Sequence, residues 1–124
     1  MSYSYLNSKV ITVDASAIEN GVRVDLSSSS YGLPSRMSFY GMNCFVRPTI
    51  GANDASYLGI FDGTSSDVLI YFDFTGSAWD VQPSNLMLQN DSYIEFKNGL
   101  NFELHWDYSN TNPVTELVAT VFYQ

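Results

Sequence analysis

The clearest strand pattern in the chain lies in its C-terminal part, which reads Leu100-Asn-Phe-Glu-Leu-His-Trp106, a polar link over 107–113, and Val114-Thr-Glu-Leu-Val-Ala-Thr-Val-Phe-Tyr123. Both segments alternate apolar and polar side chains, which is the period of a strand with one buried face. The predicted inward residues are Leu100, Phe102, Leu104 and Trp106, then Leu117, Ala119, Val121 and Tyr123. The link is rich in turn-forming Asp, Ser, Asn and Pro. The pattern therefore predicts a C-terminal hairpin whose last strand is a sheet edge open to a partner.

Shorter strand-like segments, separated by turn residues, fill the rest of the chain. They cover residues 9–13, 22–26, 36–46, 57–61, 67–74, 85–89 and 92–97. The segment 67–74 is apolar nearly throughout, so we expect it at the centre of a sheet or against a partner. Asn98-Gly99 predicts a tight hairpin turn, and the best helix candidate spans only residues 14–20. We predict one all-β domain over 9–124, a single-domain antiparallel β-sandwich or jelly roll of about eight strands, after an N-terminal arm over 1–8.

Charge limits the classes of partner. The chain has 124 residues, of which 13 are acidic and 5 basic, for a net charge of −8. Residues 48–96 hold seven acidic side chains and no basic one. Such a chain repels phosphate backbones, so we predict no nucleic-acid partner. Residues 1–8 lack the pattern of a signal peptide, and no apolar run has the length of a membrane span, so we predict no membrane partner and synthesis in a cytoplasm.

The sequence has few residues suited to catalysis or metal binding. His105, the one histidine, lies on the polar side of a predicted strand, and a catalytic role would need a cleft that brings it onto a carboxylate. Cys44, the one cysteine, is expected to be a buried thiol. Glu95 and Glu103 could form a glycosidase pair across adjacent strands, and the segment 62–67 could offer oxygens to calcium, but solvated side chains and a turn explain both. We predict no enzyme, no cofactor and no metal site.

Two loops carry the residues of a sugar site, where an aromatic ring stacks on a pyranose beside hydrogen-bonding side chains. One contains Trp79 and Asp80, and the other contains Asp107, Tyr108 and Asn110. A carbohydrate-binding module or receptor-binding tip that contacts a glycan is therefore the alternative function. The competing hypothesis is a surface for protein contacts, because lysine is scarce and tyrosine frequent.

The chain resembles the small jelly-roll structural proteins of tailed-phage virions, such as capsid decoration, head-fibre or tail-tip components. The residues behind this resemblance are the aromatic arm with Tyr3 and Tyr5, the lysine-poor strands, and the aromatic end Phe122-Tyr123-Gln124. The resemblance implies a non-enzymatic virion protein of bacteriophage type, made in the host cytoplasm. It also implies a homo-oligomer such as a trimer, docked on a capsid or other virion protein. We expect Tyr3, Tyr5, Phe122 and Tyr123 to contact that partner.

Overall fold

The computed structural model describes residues 6–47, 57–73, 82–88, 92–106 and 116–124. Across these ranges the protein has nine strands and no helix. The strands are β1 (Asn7–Asp14), β2 (Arg23–Asp25), β3 (Met37–Arg47), β4 (Tyr57–Asp62), β5 (Ile70–Asp73), β6 (Gln82–Met87), β7 (Ile94–Phe96), β8 (Leu100–His105) and β9 (Glu116–Tyr123). The helix candidate at 14–20 is wrong, because Asp14 caps a turn there by accepting a hydrogen bond from the Ser16 amide at 3.0 Å.

The strands form two antiparallel sheets. Sheet 1 has the order β1-β9-β3-β6 with β7 also paired to β3, and sheet 2 has the order β2-β8-β4-β5. The chain passes back and forth between the sheets, from β1 to β2 to β3 to β4, and again from β7 to β8 to β9. Two facing sheets joined in this way are a jelly roll, so the predicted fold class is confirmed.

The C-terminal pair is not a hairpin. β8 lies between β2 and β4 in sheet 2, whereas β9 lies between β1 and β3 in sheet 1. The prediction that β9 is an open edge strand is therefore also wrong. The alternation was correct, but it specifies only which side chains are buried. Since both sheets of a sandwich bury their inner faces, alternation does not specify which strand is the neighbour.

The Asn98-Gly99 turn is likewise a crossing between sheets and not a hairpin, because β7 pairs with β3 in sheet 1 and β8 begins sheet 2. Gly99 has a φ of 100°, in the region that side chains disfavour. A Cβ on Gly99 would collide with the hydroxyl of Ser27. The crossing therefore requires glycine for its backbone angle and for its close approach to the neighbouring loop.

Inner faces of both sheets form one apolar core. Leu100, Phe102 and Leu104 are all buried there, as predicted, and Trp106 is half-buried against the core. Cys44 is also buried, and this burial raises the pKa of its thiol to about 12. The thiol is therefore protonated at neutral pH, and the prediction of a structural cysteine is confirmed.

The Asp62-Gly63 turn begins a true hairpin, which joins β4 to β5. β5 is the last strand of sheet 2 and, among the described residues, pairs with β4 alone. The prediction of a central position for 67–74 is therefore wrong, and the alternative of a contact with a partner stays a prediction. The apolar residues of this run lie in different environments. Ile70 and Phe72 face the core, whereas Tyr71 faces outward and Val68 is exposed before the strand begins.

Candidate functional site

The outer faces of the two sheets are both candidates for function. On sheet 2, the side chains of this face are linked by hydrogen bonds and stacked rings. One row of its register runs from Arg23 in β2 through Glu103 in β8 and Gly59 in β4 to Tyr71 in β5. Gly59 leaves a depression in the middle of this row. The ring of Phe61 occupies it, at 3.2 Å from the place where a Cβ of Gly59 would lie.

Arg23 holds this face together. Its Nε and Nη2 donate hydrogen bonds to Glu103 Oε2 at 2.8 and 2.5 Å. Its Nη1 donates to the carbonyl oxygens of Gly63 and Ser65 at 3.1 and 2.7 Å, in the loop between β4 and β5. The guanidinium also lies 3.9 Å from the ring centre of Phe61, a cation–π distance. One side chain thus ties β2 to β8 and to the loop.

A column of stacked rings continues from Glu103. Its Oε1 lies 2.9 Å from His105 Nε2. The His105 ring stacks on Tyr57 at 4.5 Å, and Tyr57 stacks on Tyr71 at 4.9 Å. Burial raises the pKa of Glu103, but hydrogen bonds from His105 and Arg23 outweigh burial, so the net pKa of this carboxyl is lowered. The carboxylate is therefore ionised at neutral pH and shared between two donors.

His105 thus lies on a carboxylate, which was the condition for a catalytic role, but the pair is on an open sheet face and not in a cleft. Tyr57 covers one face of the imidazole, and the other ring nitrogen lies near Gly21, 3.5 Å from an added Cβ there. No hydroxyl or thiol of the described residues hydrogen-bonds to the ring. Among the described residues, the imidazole is therefore not paired with a nucleophile that it could activate.

The carboxylate pair proposed for glycoside chemistry is separated. Glu95 belongs to β7 in sheet 1 and Glu103 to β8 in sheet 2, so the two do not face each other on adjacent strands. Glu95 instead lines an open cleft of about 500 Å³ with the 62–67 turn. Asp62, the first acidic residue of that turn, already accepts hydrogen bonds from the amides of Lys97 and Asn98 at 3.1 and 2.8 Å. Within the described ranges, no group of three or more His, Cys, Asp or Glu side chains is placed to hold a metal ion.

Replacing Arg23 by alanine is expected to destabilise the protein by about 2 kcal/mol at pH 7, because several charge-assisted hydrogen bonds are lost and Glu103 keeps its charge. Arg36→Ala is the matched control, since Arg36 is exposed in a loop and its loss should change stability by less than about 0.5 kcal/mol. Urea unfolding measures both variants. Equal stability losses would contradict a structural role for Arg23.

The cost of Arg23→Ala should also depend on pH. Because the pKa of Glu103 is lowered in the folded protein, its ionised form stabilises the fold. This stability is fully present above the unfolded pKa of Glu, about 4.3, and is lost as the pH falls through the lower folded pKa. The difference between wild type and Arg23→Ala should therefore shrink as the pH is lowered below about 4. A difference that stays constant down to pH 2 would show that Glu103 is not the group involved.

The outer face of sheet 1 is different in character, because three successive rows of its register contain no charge. The rows are Ser8, Phe122, Gly41 and Met87; Val10, Thr120 and Asn43; and Thr12, Val118 and Phe45. The next row brings Asp14 and Glu116 into register, so charged residues begin at the rim of these rows. Val10 has 66% of its surface exposed and Met87 has 41%. We call these three rows the neutral face.

Most of the sequence-predicted contact residues lie outside the described ranges: Tyr3, Tyr5, Trp79, Asp80, Asp107, Tyr108 and Asn110. The glycan hypothesis depends on five of them and stays a prediction. Phe122 is half-buried on the neutral face, whereas Tyr123 packs against the core. Sequence reasoning missed Val10, although one signal was present. Val10 and Ile11 are consecutive, so one of them must point away from the core.

No protein-family model matches this chain, and no curated protein sequence matches it. Among solved structures, the chain is similar to the Tobacco streak virus coat protein in the structure of its dimer. The TM-score is 0.52 and the identity 14%, over 95% of this chain and 86% of that chain. Desmodium yellow mottle tymovirus gives a TM-score of 0.47 at 14% identity, over 95% and 85% of the two chains. At this identity the similarity to the coat protein shows a shared fold.

Within the described ranges, no helix is long and apolar enough to cross a membrane.

Proposed function

We propose that this chain is a non-enzymatic structural protein of a virion, which associates with copies of itself and docks on a larger assembly. The observation that carries the proposal is the neutral face: an uncharged surface with exposed apolar and aromatic side chains on a hydrogen-bonded sheet, in a chain that is otherwise strongly acidic. Exposed surfaces of this kind are typical of protein contacts. The jelly roll shared with a viral coat protein supports a role in the particle.

The finer proposal is a capsid decoration, fibre or tail component of a tailed phage. Support for this comes from the resemblance in the aromatic arm, the scarcity of lysine and the aromatic terminus. The net charge of −8 also suits a surface component better than a subunit that packages nucleic acid. The same resemblance suggests a trimer.

The test is the sedimentation of the native chain in a lysate of the cells that produce it. We expect an antibody against the chain to find it in the fraction of intact particles on a density gradient, and to find it there again after a high-salt wash. A chain present only in the low-mass fractions would contradict the proposal. Deleting the gene should also yield particles that lack the protein detected by this antibody.

A further inference from the structure

We infer that the neutral face of sheet 1 is a contact surface for a second copy of this chain, placed face to face. The inference rests on the proposed function and adds the surface and the occupant. Four strands contribute to this face, β1, β9, β3 and β6, so it is the outer side of a continuous hydrogen-bonded sheet and not a mobile loop. A rigid surface loses little conformational entropy when it binds.

The side chains of the neutral face are those of interfaces. Val10 is the most exposed of the large apolar residues described, and Met87 lies at the opposite side of the same sheet. Half-buried Val118 and Phe122 lie between them on β9. Methionine and aromatic residues are enriched in the centres of protein contacts, where charged residues are depleted. The threonines on this face add hydroxyls that can both donate and accept hydrogen bonds.

The absence of charge on the neutral face favours a second copy as the occupant. A two-fold contact brings the same surface patch from both subunits together. Two like charges brought close together at a protein surface repel each other, and this repulsion weakens association. Because the chain has a net charge of −8, a two-fold contact through an acidic part of its surface would bring like charges together. The neutral face avoids this repulsion, because its three rows are uncharged.

The outer face of sheet 2 is a poorer candidate for self-contact. Asp25, Glu103 and Arg23 occupy adjacent register positions there. The arginine is already fully engaged by Glu103 and by the loop carbonyls of Gly63 and Ser65. A basic partner would be attracted to the acidic turn at 62–67 and not to the neutral face. A second copy and a basic protein are therefore expected to bind at different places on the chain.

The size of the face sets the expected affinity. Strands lie about 4.8 Å apart and alternate residues about 6.8 Å apart, so four strands and three rows give a face of about 400 Å². Stable pairwise complexes bury about 800 Å² from each partner. We therefore expect a weak dimer in solution, with a Kd on the order of 0.1–1 mM, that becomes stable when many copies are arrayed together.

The experiment is sedimentation equilibrium of the full chain up to about 1 mM, as wild type and three variants. Val10→Asp puts a carboxylate on the neutral face at an exposed position, so the fold should be retained. It should weaken association at least tenfold. Val10→Thr, which has nearly the same shape and no charge, should stay within about threefold. Val68→Asp adds the same charge at a residue that is 48% exposed beside sheet 2, and should stay within about twofold.

Three results would each contradict self-contact through the neutral face. A wild type that is monomeric at 1 mM, a Val10→Asp variant that associates normally, or a Val68→Asp variant that loses as much affinity would overturn it. The proposed function is tested separately by the particle fractions. A monomeric chain that is found in particles would remove the inference alone, and a dimer that is absent from particles would remove the proposed function alone.

Discussion

Replacing Phe102 by alanine is expected to destabilise the protein by about 3–5 kcal/mol, which is the usual cost of removing a large buried aromatic side chain. Phe102 is 1% exposed. It sits in the middle of sheet 2, where β8 pairs it with Val24 on one side and Ile60 on the other. The ring therefore touches the core from the centre of its sheet, and its removal would leave a cavity there. Urea-induced unfolding followed by tyrosine and tryptophan fluorescence measures the loss.

Tyr93→Ala is the matched control, because Tyr93 is an aromatic residue with 53% of its surface exposed. Its ring contacts Tyr40 at a centroid distance of 5.7 Å, so its loss should cost less than about 1 kcal/mol. If Phe102→Ala were no more costly than Tyr93→Ala, β8 would not be a central strand and the assignment of the two sheets would fail.

Replacing Gly99 by alanine is expected to cost about 2–5 kcal/mol. Part of this cost is backbone strain, since the φ of 100° suits only glycine. The remainder is steric, because the new Cβ would lie 2.9 Å from the Ser27 Cβ and closer still to its hydroxyl. Ser27 cannot easily turn away, since its amide and hydroxyl both donate hydrogen bonds to Asp25 Oδ1, at 2.8 and 2.6 Å.

The control for Gly99 is Gly32→Ala. Gly32 also has a positive φ, 80°, but an added Cβ meets only the flexible end of Lys9, at 3.1 Å. Thermal unfolding of both variants separates strain from collision, and we expect Gly32→Ala to cost about 1–2 kcal/mol. Equal costs at the two glycines would mean that the crossing from β7 to β8 does not pass against Ser27.

Much of this fold could be predicted locally, because alternation reports burial directly. Phe102 and Leu104 were correctly placed in the core, and the strand boundaries at 100 and 57 were correct. The pairing of strands could not be predicted in this way. A hairpin and a crossing between sheets both require a turn followed by an alternating strand, and Asn98-Gly99 serves either. Only contacts between residues distant in sequence, such as Val10 with Thr120, distinguish the two.

The candidate sites depend on those same distant contacts. Arg23 and Glu103 are 80 residues apart, and nothing near either one in the sequence points to the other. The neutral face is visible only once β1, β9 and β3 are known to be neighbours, because each strand alone shows merely one or two apolar residues on its polar side. Val10 was the exception, since its apolar neighbour Ile11 showed that one of the pair had to face outward.

An electron cryo-microscopy map of the particle fraction would show whether the neutral face lies between two copies of this chain. We predict a regular array of jelly rolls in which the strands β1, β9, β3 and β6 of one copy face the same strands of its neighbour, with no solvent layer between them. Particles that lack this chain, or that contain it with the neutral face open to solvent, would contradict the account.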